Sequence, residues 1–160
     1  MKEIIKILKY KLVGLNLLLI ILSGAFMTYS NYLVPIFFIL ISNLYDILGY
    51  HFALIRRSKV MPEKIIIRSY RITQLMFDLS LLLLISVVLS PVAAFSGAIL
   101  KVFGVQDVLY YIFLQMELPA RWTWLKWTPL GLLSKTLSKN QVITQAIIGT
   151  FLAGLLFYII

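Results

Sequence analysis

Three aspartates, Asp46, Asp78 and Asp107, stand inside otherwise apolar stretches of the chain. A carboxylate at the centre of a bilayer costs roughly 2.5 to 3.5 kcal/mol when it faces lipid, so each needs a cation, hydrogen-bond donors or water. The neighbouring residues offer such groups. At about 100° per residue, Ser42, Asn43, Asp46 and Tyr50 fall on one stripe of a helix. Tyr110, Tyr111 and Gln115 follow Asp107 at three, four and eight residues. Lys64, Arg68, Arg71, Gln74 and Asp78 recur at steps of three and four, a basic ladder that ends on an acid.

Carboxylate, hydroxyl and amide oxygens are hard ligands, which makes Asp46, Asp78 and Asp107 candidate ligands of Mg²⁺, Ca²⁺ or Mn²⁺ and candidate catalytic groups. A cation held there beneath Arg68 and Arg71 would receive a lipid phosphate, with Asn43, Tyr50, Tyr110, Tyr111, Trp122 and Trp124 as candidate binding residues. The function expected from this set is a cytoplasm-facing acidic and aromatic pocket for a cation or lipid headgroup, in the direction of a lipid-modifying enzyme. Two acids forced together would instead share a proton and act as an acid/base pair. A purely structural arrangement is also open, in which Asp78 pairs with Arg71 or Arg68 and the other two acids bond tyrosines and amides across helices. One histidine, His51, and no cysteine are a poor supply for zinc. His51 points away from Asp46 on the wheel and reads as a headgroup-level anchor.

The elements that carry these residues must be membrane helices. The chain of 160 residues is 61% hydrophobic and only 13% charged, with apolar runs long enough to cross a bilayer. The expected fold is all-α: one polytopic transmembrane helical bundle of about five spans, at 12–29, 32–55, 72–90, 95–118 and 141–160. The net charge of +9 sits at the ends of the apolar runs, where membrane orientation requires it. That placement points to the lipid bilayer and anionic headgroups as partners and argues against nucleic acid. Lys2, Lys6, Lys9 and Lys11 flank the first span. Ser23-Gly24-Ala25 fits a signal-peptide cleavage site, but an apolar run follows at once and an uncut anchor serves equally well.

Segment 95–118 is marginal by hydropathy, because Lys101, Asp107 and its glutamines oppose insertion. Charge placement decides for crossing: fourteen of the fifteen Lys and Arg residues then share the cytoplasmic side, with only Lys101 outside. The N-terminus is then cytoplasmic, the three acids lie at a similar depth, and a multi-pass bacterial inner (cell) membrane is the expected setting. Trp122, Trp124 and Trp127, between Pro119 and Pro129, read as an interfacial belt. Ser138 or Asn140 is expected to cap the last span.

Gly149-x-x-x-Ala153 and Thr150-x-x-x-Gly154 let another helix approach closely, whether a neighbouring span, a second copy in a homo-oligomer or a membrane partner. On that basis the alternative function is a non-catalytic membrane subunit or assembly factor. Asn43-Leu44-Tyr45-Asp46 is similar to the asparagine-and-aspartate motif of lipoprotein signal peptidases. Ile47 stands where that family carries arginine and no second aspartate motif follows, so neither fold nor activity is taken from it. No G-x-S-x-G, Walker or H-E-x-x-H pattern is present.

Overall fold

The computed structural model describes residues 2–54 and 63–159; Arg56, Arg57, Ser58, Lys59 and Pro62 of the basic loop lie outside these. Helices α1 (Lys2–Leu8), α2 (Val13–Phe26) and α3 (Leu33–Asp46) come first, and α3 runs on into a π-helical segment, Ile47–Leu54. Helices α4 (Glu63–Val88), α5 (Pro91–Val102) and α6 (Val105–Phe113) follow. Strand β1 (Arg121–Trp122), the short helix α7 (Pro129–Leu133) and strand β2 (Leu137–Ser138) then lead into α8 (Lys139–Ile159). The two strands pair antiparallel, Arg121 opposite Ser138 and Trp122 opposite Leu137.

The fold is all-helical apart from this ribbon, and three stretches are long and apolar enough to cross a membrane: Leu33–Phe52, Ile67–Val88 and Lys139–Tyr158. These match the spans expected near 32–55, 72–90 and 141–160. Helix α2 has 14 residues, about 21 Å of rise against roughly 30 Å of hydrocarbon, so it is shorter than the expected 12–29. The uninterrupted span expected at 95–118 does not form. Its helix starts earlier, at Pro91, because the Ser90 hydroxyl caps it by accepting from the Ala93 amide at 3.4 Å. It then stops at Val102, and Gly104, in the left-handed region at φ 78°, starts α6 in a new direction. The angle between α5 and α6 is 69°, so together they make at most one broken span.

Side-chain contacts define two ends. Met27, Leu89 and Phe157 pack on Val34 and Ile85 at one end. At the other, the Leu12 amide donates to the Phe113 carbonyl at 3.1 Å and the rings of Tyr10 and Phe52 meet edge to face. No Lys or Arg occurs in 12–54, 72–100 or 140–160. Among the described residues the cations therefore gather at the second end, save Lys101. Outward-facing Leu18, Ile21, Leu83, Leu84 and Phe151 are exposed, which leaves a broad apolar surface around the helices.

Close backbone approach joins the helices. A methyl group on Gly97 would stand 2.7 Å from Phe38, and one on Gly149 would collide with Phe103. The Ser96 hydroxyl donates to the Ala153 carbonyl at 2.7 Å. Small residues and interhelical hydrogen bonds of this kind hold helices together where surrounding lipid removes the hydrophobic incentive. Gly149 and Ala153 are thus used against α5 of the same chain, whereas Gly154 meets nothing within 4 Å. At the start of α8 the Ser138 hydroxyl accepts from the Gln141 amide and the Gln141 side chain accepts from the Ser138 amide, a reciprocal cap.

Candidate functional site

Asp46 ends the regular part of α3, so its side chain leaves the helix just where the π-helical turn widens the backbone. Three donors converge on it. The Tyr70 hydroxyl donates at 2.5 Å, and the Gln74 amide spans both carboxylate oxygens at 2.8 and 2.9 Å. The Gln106 amide, from α6, also donates to Asp46 and reaches the Ser42 carbonyl at 3.3 Å. Gly49 makes the Tyr70 contact possible, because a methyl group there would sit 2.7 Å from the tyrosine ring. Three helices are therefore tied through one carboxylate.

Asp78 pairs with Lys101 at 2.5 Å, both side chains being largely buried. This corrects two expectations. Lys101 does not stand in the open beyond a helix end, because a helix that begins at Pro91 carries position 101 to the level of Asp78 on the antiparallel α4. Asp78 is not paired with Arg68 or Arg71 either; both of these are exposed. Of the ladder on α4, Gln74 and Asp78 turn inward to Asp46 and Lys101 while Arg68 and Arg71 are exposed, so the acid meets a cation on the neighbouring helix rather than one on its own.

Asp107 accepts from the Trp124 indole at 3.0 Å. Lys101 is within electrostatic reach of Asp46, Asp78 and Asp107 alike, and Asp46 senses the other two acids. Among the described residues no three His, Cys, Asp or Glu side chains converge as metal ligands. Of the three carboxylates only Asp78 is bonded to the ammonium, whereas Asp46 and Asp107 are held by neutral donors.

Aromatic rings line this centre. Tyr45 stacks on Phe77 at 4.4 Å and lies 6.0 Å from Tyr70; Tyr50 bridges Tyr70 and Tyr110. From Tyr110 the contacts continue through Tyr111 and Trp122 to Trp124. His51 stands apart from Asp46, with its Nδ1 3.5 Å from the Tyr110 hydroxyl and its ring against Tyr10. Trp122 departs from the interfacial role expected of it. It is only 1% exposed, packed with Leu125, Leu137 and Val142 under the two-stranded ribbon, and its indole N–H has no hydrogen-bond partner. Trp127, by contrast, is 81% exposed.

Ser42 and Asn43 are fully buried beside this network. The Ser42 hydroxyl lies next to Asp78 without making a hydrogen bond of good geometry, and neither side-chain atom of Asn43 has a partner. Sequence reasoning missed Tyr70, Lys101 and Gln106 as members of the site. Tyr70 and Gln106 carry no local signal, since each reaches Asp46 across an interface between helices. No family model, curated protein or solved structure matches the chain.

Proposed function

We propose that the chain is an integral membrane bundle of about five spans, α2 and the broken α5–α6 pair included, with its basic end and N-terminus on the cytoplasmic side, and that its polar centre binds a positively charged ligand. The charge distribution supports the orientation, because Lys and Arg are retained on the cytoplasmic face. One observation carries the binding role: three partly buried carboxylates, Asp46, Asp78 and Asp107, are tied to neighbouring helices in the polar part of the bundle, and only Asp78 has a cation in contact, Lys101. Unpaired negative charge inside a membrane bundle is costly, and a second cation lowers that cost.

The buried oxygens of Ser42 and Asn43 without hydrogen-bond partners add acceptor capacity for such a ligand. The carboxylates do not gather into a multidentate cage, whereas tyrosine faces beside carboxylates suit an ammonium group. A metal ion and the amine of a lipid headgroup share the required charge, and the experiment separates them. The purified protein is heated in phosphatidylcholine nanodiscs, with and without Mg²⁺, Ca²⁺ or Mn²⁺, and in nanodiscs containing phosphatidylethanolamine. A rise in melting temperature with one class, absent in Asp78→Asn and Asp107→Asn proteins that still fold, supports the reading and names the ligand. Identical melting in all conditions overturns it.

A further inference from the structure

The chain between α6 and α8, residues 118–138, does not lie as a strap across the helix ends. The Leu130 amide, at the start of α7, donates to the Gln145 side chain at 2.8 Å, and the Gln145 amide in turn donates to the Phe103 carbonyl at 3.2 Å. Gln145 stands six residues beyond Lys139 on α8, about 9 Å below the start of that helix. Phe103 stands twelve residues beyond Pro91, about 18 Å of the roughly 30 Å that a hydrocarbon core spans, which leaves about 12 Å to the basic side. Counts from opposite ends of the bundle thus put α7 at one level, inside its apolar length rather than at its rim.

The backbone of this segment is satisfied at that level. The Thr128 hydroxyl donates to the Leu125 carbonyl at 2.8 Å and accepts from the Gly131 amide at 3.2 Å, and the Leu132 and Ser134 amides bond the Thr128 and Leu130 carbonyls. Irregular backbone is tolerated at membrane depth only where the protein meets its hydrogen bonds in this way. Gly131 lies so close to the Leu125 carbonyl that no side chain fits there, and Trp122 and Leu137 fill the space beneath. The inner face is therefore full. The outer face is apolar: Trp127 is 81%, Leu132 71% and Leu133 85% exposed, and Ile147 and Ile148 of α8 continue the same belt past Gln145. No acid occurs in 118–160, and Arg121, Lys126 and Lys135 are exposed, with stems long enough to carry their charges up to headgroup level.

We infer that residues 118–138 form a re-entrant wedge that docks Trp127, Leu132 and Leu133 among the acyl chains of the leaflet on the basic side. Depth selects this occupant, because a soluble partner would have to reach about 9 to 12 Å below the start of α8 to cover α7. The inference rests on the membrane reading above, and the experiment lets the two fail separately.

The chain has no cysteine, so Leu133→Cys, Leu83→Cys and Arg121→Cys each offer a single site for a nitroxide label, and all three positions are exposed. In phosphatidylcholine vesicles, power saturation compares collisions with oxygen, which concentrates in hydrocarbon, and with a nickel chelate, which stays in water. The oxygen-to-nickel ratio is expected to be several-fold higher at Leu133 than at Arg121, and as high as at Leu83 on α4. A Leu133 ratio equal to that at Arg121, with Leu83 still high, overturns the wedge and leaves the bundle standing. Low ratios at all three positions overturn both. Few collisions with either reagent at Leu133 mean that a protein surface covers it, and also overturn the wedge. Tryptophan emission supplies a second readout: phosphatidylcholine brominated along its acyl chains should quench the native protein, and Trp127→Phe should remove most of that quenching. Equal fractional quenching in the two proteins overturns the inference as well.

Discussion

Where Met27, Leu89 and Phe157 meet, the contacts are between apolar side chains, and the chain turns there without a charged residue. Half a helix away, the same helices are joined by Tyr70, Gln74, Gln106 and Lys101 acting on carboxylates. The apolar half distributes its contacts over many weak pairs, each of which tolerates change. The polar half concentrates them on a few groups that cannot be left unmatched in a medium without water. Closeness of fit decides stability in the first region, and matching of charge and donors decides it in the second.

Breaking the ion pair tests this most severely. Lys101→Met leaves Asp78 without its ion-pair partner and should cost about 3 to 5 kcal/mol, or prevent accumulation of the folded protein. Reversible unfolding in mixed micelles measures the loss, and Asp78→Asn in the same chain should restore part of it. Full stability of Lys101→Met alone would remove the contrast between the two halves. In the apolar half, Gly97→Ala presses a methyl group on Phe38 and should cost about 1 to 3 kcal/mol by the same assay. Trp124→Phe keeps the ring but takes the donor from Asp107, with a loss of about 1 to 3 kcal/mol. A value below Gly97→Ala would show that solvent from the basic end reaches this acid. Val87→Ala, at a highly exposed apolar position, should stay within about 0.5 kcal/mol.

The long helices were legible because hydropathy over some twenty residues outweighs any local ambiguity. The stripe of Ser42, Asn43 and Asp46 was legible for a similar reason, since helical spacing fixes which side chains share a side. Lys101 was misplaced because its position depends on where a helix begins, and a shift from Phe95 to Pro91 moves it by one turn. The signal was present in Ser90-Pro91, a cap followed by a proline at the first helical position, and in Gly104, where the helix breaks. Trp122 was misread because a composition rule for interfaces says nothing about a linker that folds on itself and buries the ring beneath Leu137. The donors around Asp46 come from α4 and α6, and no pattern within one segment encodes them.

The pairing of Asp78 with Lys101 also bears on how the chain would enter the membrane proposed for it. In the proposed membrane setting, helix α4 alone would bring a bare acid into hydrocarbon at a cost of roughly 2.5 to 3.5 kcal/mol, and α5 alone a bare ammonium. Joined by the short turn at Leu89 and Ser90, they neutralise each other once both have emerged from the ribosome. Entry of α4 and α5 as one hairpin is therefore the order that costs least in that setting.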